Sequence, residues 1–200
     1  MLKIKRIVRY FGIGIFRMIY SRWYSFVWLL RKGSVVRKPK HVNYGNMVDI
    51  GCSSIDSGCR LDCYPTEKCP RPTIIIGNKT MIGFNFTALS AGKLTIGDNC
   101  LFASDVFIST EDHGMIPGGE KYIEQPLTSK DVTIENNCWI GEKVCILAGV
   151  HVGQWSIIGS GAVVTHDVPE YSIAVGNPAR VIKRFNFQSW AWEKVTGEDE

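Results

Sequence analysis

From about Ile74 onward an aliphatic residue returns every sixth position, followed by glycine or another small or acidic residue: Ile76-Gly77, Ile82-Gly83, Ile96-Gly97, Phe102-Ala103 and Ile108-Ser109. A second stretch holds the register without a gap through Ile134-Glu135, Ile140-Gly141, Ile146-Leu147, Val152-Gly153, Ile158-Gly159 and Val164-Thr165. A six-residue period fits neither a 3.6-residue helix nor a simple alternating strand. It is the signature of a hexapeptide solenoid, in which each hexad makes one short strand and a tight corner. The aliphatic residue points inward and the small residue after it lets the chain turn. Stacked coils then pair their backbones at the strand spacing of about 4.8 Å. The residue four places after each aliphatic is also small or apolar (Thr80, Phe86, Cys100, Val106, Cys138, Val144, Val150, Ser156, Ala162), which places it inside as well.

The pattern breaks twice. Between Ile108 and Ile134 a polar stretch, residues 111–130, leaves the solenoid as a protruding loop, the kind of place where function concentrates on a regular scaffold. From Val42 to Pro72 the pattern is weak, read as irregular early coils, and Cys52, Cys59, Cys63 and Cys69 lie there. Their spacing lacks the CxxC pairs of a zinc site, and no metal is expected. Seven cysteines, an odd number, in a chain of 200 residues fit a reducing compartment better than a disulfide framework. No glycine-rich dinucleotide or Walker motif is present.

Charge divides the chain. The net +4 conceals 11 basic and no acidic residues in the first 40 positions, so that the other 12 basic and all 19 acidic residues follow. On a helical wheel Ile4, Ile7, Val8, Phe11, Ile15, Met18 and Ile19 fall within a stripe of about 120°, opposite Lys5, Arg6, Arg9 and Arg17. Trp23, Tyr24, Phe26 and Trp28 come next. Two readings stand for residues 1–32: a helical arm lying in a membrane interface, or a cap over the open end of the solenoid. Its uncharged runs are too short to span a bilayer, and Arg17 and Arg22 interrupt any signal peptide. Nucleic-acid binding is not expected, because the acidic body opposes it. The domain plan is a basic arm at 1–40, the solenoid at 41–184 with its loop at 111–130, and a tail at 185–200.

The block Trp139-Ile140-Gly141 to Gly149-Val150, Ile158-Gly159-Ser160-Gly161, Val164-Thr165, Asp167-Val168-Pro169 and Gly176-Asn177-Pro178-Ala179-Arg180-Val181-Ile182 resembles the hexapeptide acyltransferases. The branch is that of the galactoside, maltose, nodulation-factor and polysaccharide O-acetyltransferases. The likeness runs over residues 74–185 and is densest over 134–183. It implies a left-handed parallel β-helix assembled as a homotrimer, with acetyl-CoA as acyl donor in the groove between subunits. It further implies transfer to a sugar hydroxyl of a surface polysaccharide, lipopolysaccharide or lipid-linked precursor, in the cytoplasm or on the inner face of the membrane. By the same resemblance His113, at the loop entrance, is the general base, with Glu111 or Asp112 able to orient its ring. Asn85 corresponds to an acceptor-holding residue or to a turn asparagine. Glu142, Ser160, Thr165, His166, Arg180 and Lys183 correspond to coenzyme A contacts, Glu142 replacing a commonly small residue. An imidazole suits this chemistry, since its pKa near neutrality lets it take the proton of an attacking hydroxyl. The alternatives are an antibiotic acetyltransferase of the streptogramin or chloramphenicol type, and a non-catalytic scaffold subunit. A γ-class carbonic anhydrase would need three histidines around zinc, and the spacing of His113, His151 and His166 does not supply them.

Overall fold

Each hexad forms one side of a three-sided coil. In the computed structural model, which describes residues 33–43 and 45–195, short parallel strands stack into three sheets that wrap one core. Sheet A contains Val35–Val36, Ser54–Ile55, Met81–Ile82, Leu101–Phe102, Trp139–Ile140, Ile157–Ile158 and Ser172–Gly176. Sheet B stacks His41–Val42, Arg60–Cys63, Thr87–Ser90, Phe107–Ser109, Cys145–Ile146 and Val163–Val164. Sheet C stacks Val48–Ile50, Thr73–Ile76, Lys93–Ile96, Val132–Ile134 and His151–Val152. Sheet A is closed by an antiparallel meander, Ala179–Asn186 and Ala191–Lys194, so the expected tail begins inside the last sheet strand but one.

The expected inner positions are the core. Ile76, Ile96, Ile134 and Val152 form one in-register ladder in sheet C, and Phe102, Ile140 and Ile158 form another in sheet A, all buried. Thr80, Phe86, Cys100, Val106, Cys138, Val144, Val150, Ser156 and Ala162 are buried too. Thr80 is satisfied there: its hydroxyl donates to the Gly97 carbonyl at 2.8 Å and accepts from the Cys100 N–H at 3.0 Å. The small residue after each aliphatic is needed because coils touch at the corners. A Cβ on Gly77 would come within 2.7 Å of the Gly97 backbone.

The early coils are not irregular. Ser54 pairs with Met81, and Arg60 with Thr87, in the same parallel ladders as the later coils. The hexad phase is hidden there because extra residues, 64–72, leave the prism at the corner between sheets B and C. The long loop at 111–130 leaves at that same corner. Val35–Val36, within the expected arm, already pairs with Ser54–Ile55. The amphipathic helix and membrane contact expected over residues 1–32 lie outside the described residues.

Candidate active site

The loop that carries His113 is tied at its base. Glu111–Asp112 pairs antiparallel with Thr128–Ser129, and the Lys130 N–H donates to the Thr110 carbonyl at 2.9 Å. Below it the buried Thr110 hydroxyl accepts from the Ala91 and Gly92 N–H groups at 3.0 and 3.1 Å, locking the loop root to the coil beneath. Inside the loop Gln125, 7% exposed, donates to the carbonyls of Ile116 and Glu120 and accepts from the Ile116 N–H. His113 is thereby presented to solvent on a braced segment, while Met115, Ile116, Tyr122 and Ile123 stand exposed further along.

The Glu111 carboxyl is half-buried, and burial pushes its pKa up against the pull of the neighbouring His113 and Arg60 charges. Its Oε2 is enclosed with no hydrogen-bond partner among the described residues. Glu111 and His113 lie near enough for their charges to interact, and Asp112 is exposed.

The remaining candidates divide between two edges of the prism. Asn85, Glu142 and Ser160 occupy the corner between sheets A and B. Asn85 has φ of 57°, matching Asp105 (60°) and Lys143 (57°) in the coils stacked on it, and its amide donates to Asp105 at 3.0 Å. This is the left-handed turn position of the hexad, which asparagine tolerates well. The Glu142 N–H donates to the Ser160 hydroxyl at 3.2 Å, and the Glu142 carbonyl accepts from the Gly161 N–H at 2.7 Å. Thr165 and His166 stand instead at the corner between B and C, the one that carries His113, with Thr165 Oγ1 and His166 Nδ1 hydrogen-bonded at 2.8 Å. Beside them a cleft of about 370 Å³ is lined by His166, Asp167, Pro169, Arg180 and Arg184. Arg184, which the sequence reading did not single out, lines that cleft, and Lys183 is not among its lining residues. Two guanidinium groups and an imidazole suit phosphate. Thr165 and His166 thus share the corner of His113, His166 also lines the cleft with Arg180, and Asn85, Glu142 and Ser160 lie on another edge.

Sequence reasoning missed a polar network on the outer face of sheet B. Asp62, 1% exposed, accepts from His41 Nδ1 at 2.6 Å, from Arg60 Nε at 2.6 Å and from the Tyr64 hydroxyl at 3.1 Å. Arg60 Nη2 donates to the Tyr64 hydroxyl at 2.8 Å. Burial would raise the Asp62 pKa, but the bonds from Arg60, His41 and Tyr64 hold it below the usual aspartate range. The signal available in sequence was the alternation Arg60, Asp62, Tyr64 on one face, in a stretch where the hexad phase is lost. The four early cysteines do not converge with it. Cys59 and Cys63 are core residues whose thiols burial pushes up to about 12 and about 11, and Cys52 is exposed. Among the described residues no group of three or more His, Cys, Asp or Glu is placed to hold a metal ion.

A family model for the bacterial transferase hexapeptide (six repeats) matches residues 131–166, the stretch of unbroken register. The putative lipopolysaccharide biosynthesis O-acetyl transferase WbbJ of Escherichia coli K12 is 28% identical over 174 residues, 84% of each chain. The galactoside O-acetyltransferase of the same organism is 40% identical over 117 residues, which are 56% of this chain and 55% of that one. With that relative, then, the match spans about half of its length. The solved structure of a galactoside acetyltransferase in complex with coenzyme A superposes with a TM-score of 0.50 at 27% identity, covering 78% of this chain and 68% of that one.

Proposed function

Because the chain belongs to the hexapeptide-repeat acetyltransferase family, whose coil is a left-handed β-helix, we propose that it moves acetyl from acetyl-CoA to a sugar hydroxyl, with His113 as general base. The observation that carries the reading is the placement of His113. It sits on a braced loop at the same prism corner as Thr165 and His166, and His166 lines the cleft that holds Arg180. The acceptor is a surface polysaccharide, a lipopolysaccharide or a lipid-linked precursor, in keeping with the lipopolysaccharide relative.

Arg180, Arg184 and His166 bind the phosphates of the donor by charge-assisted hydrogen bonds. The imidazole of His113 takes the proton of the acceptor hydroxyl as its oxygen attacks the thioester carbonyl. The tetrahedral oxyanion collapses with cleavage of the carbon–sulfur bond, and the imidazolium returns the proton to the leaving sulfur. The products are the sugar acetate and the free thiol of coenzyme A. A backbone N–H is the natural oxyanion donor, since it costs no reorganisation. Glu111 lies near enough for its charge and that of His113 to interact.

The division of candidates between two prism edges supports assembly as a homotrimer, in which one subunit's A–B corner faces the next subunit's B–C corner. The exposed apolar residues of the loop, Met115, Ile116, Tyr122 and Ile123, then find a cover. The arm at residues 1–32 serves as a membrane address that brings the enzyme to a lipid-linked acceptor from the cytoplasmic side. Among the described residues no helix is long and apolar enough to cross a membrane.

The test is His113→Ala with acetyl-CoA and a panel of sugar acceptors, followed by release of the coenzyme A thiol. Turnover should fall by about 10²–10⁴-fold, while calorimetric binding of coenzyme A stays near the wild-type value. A variant that keeps most of its turnover removes His113 from the role of base.

A further inference from the structure

The network on the outer face of sheet B has no part in the reaction just described. Asp62 is the buried centre of it, and three donors engage both of its oxygens. An ion pair of this kind adds little stability over an apolar replacement. What it does add is orientation. The Tyr64 hydroxyl accepts from Arg60 Nη2, so its own proton goes to Asp62, and both the phenol ring and the guanidinium plane are fixed. Arg60 has five N–H donors. Its bonds to Asp62 and Tyr64 use two, and its side chain is 42% exposed, so the rest of the fork faces outward. His41 is bound to Asp62 through Nδ1, which leaves Nε2 on a side chain 58% exposed.

Glu111 supplies the opposite chemistry close by. Arg60 and Asp62 lie near enough for their charges to act on its carboxyl, and so does His113. Its Oε2 is an enclosed acceptor with no donor among the described residues. The face therefore presents fixed donors and a fixed aromatic ring, with the half-buried Glu111 carboxyl on the side toward His113. A sugar ring has the matching pattern, with neighbouring hydroxyls that each donate and accept and a less polar face that rests on an aromatic ring.

The strands set the length of the site. Arg60 pairs with Thr87, and Thr87 with Phe107, on the strand that leads into the loop of His113. Two strand spacings are about 10 Å, more than one sugar ring covers.

Resting on the acetyl-transfer reading above, we propose that Arg60, Tyr64 and Glu111, aligned by Asp62, form a subsite for the sugar units next to the one acetylated at His113. The acceptor is then a glycan of two or more units lying along sheet B, and a single sugar engages only part of the site.

The full-length protein is tested on a printed array of bacterial surface glycans and their constituent monosaccharides. Calorimetry follows with the oligosaccharide bound best and with its terminal monosaccharide. Wild type should bind the oligosaccharide at least tenfold more tightly than the monosaccharide. Arg60→Met should remove that margin and raise the acceptor KM at least tenfold, with kcat and the acetyl-CoA KM within twofold of wild type. Arg60→Lys, which keeps the charge beside Asp62 but not the planar fork, should show the same loss and stands in if Arg60→Met does not fold. An array without any bound glycan, equal affinity for both lengths, or an unchanged acceptor KM in the lysine variant overturns the subsite. Glycan binding lost in the Arg60 variants without acetyl transfer by wild type would leave the subsite and remove the transferase reading. Transfer with an unchanged acceptor KM would do the reverse.

Discussion

Replacing Ile140 with alanine measures how far the stacked ladders hold this protein together. Ile140 is fully buried in sheet A, between Phe102 in the coil below and Ile158 in the coil above. The substitution deletes three carbons, a transfer loss of about 2.4 kcal/mol at roughly 0.8 kcal/mol per buried carbon. Both ladder neighbours are held by their own backbone pairing, so the site relaxes little. A cavity of roughly 60–80 Å³ then adds about 1.5–2 kcal/mol. The expected cost is about 4 kcal/mol, near the upper end for such truncations. Ile140→Val should cost about 1 kcal/mol. Glu142→Ala, two residues along and exposed, should stay within about 0.5 kcal/mol. Urea unfolding followed by circular dichroism at one fixed protein concentration reads all three, and an unchanged m-value shows that the same surface unfolds. A cost under about 1.5 kcal/mol for Ile140→Ala, or one matched by Glu142→Ala, refutes the ladder as the source of stability.

The buried Asp62 makes stability depend on acid. A carboxyl whose pKa is lower folded than unfolded stabilises the fold above the unfolded value and loses that contribution as pH falls through the folded one. The thermal midpoint should therefore decline from about pH 5 downward, and Asp62→Asn should flatten that decline; an equally steep acid limb in the variant counts against it. Deleting residues 2–32, which carry eight of the 11 early basic residues, should release the protein from anionic liposomes in a sedimentation assay. Unchanged sedimentation favours the capping role of the arm.

The inward positions were legible because each is set by its own hexad. Cys100 and Cys138 illustrate this: spacing alone placed them in the core, where they stack in adjacent coils. Placement of His113 at the loop entrance was legible from the end of the repeat together with the family resemblance. Arg184 was passed over: it lines the cleft with Arg180, but it lies outside the positions that matched the family's pattern. Arg60, Asp62 and Tyr64 were illegible as neighbours of the loop, because some fifty residues of chain separate them from His113.

The period of six determined by itself which side chains face inward, where the chain turns and where a loop must leave, since these are local consequences of one strand and one corner. It did not determine which edge of the prism a residue occupies once extra residues intervene. After residues 64–72 or 111–130 the count along the chain no longer tracks the turn around the axis, and only backbone pairing between coils restores it. That pairing put Asn85 on one edge and His113 on another, and brought a buried aspartate network up beside Glu111 at the root of the loop.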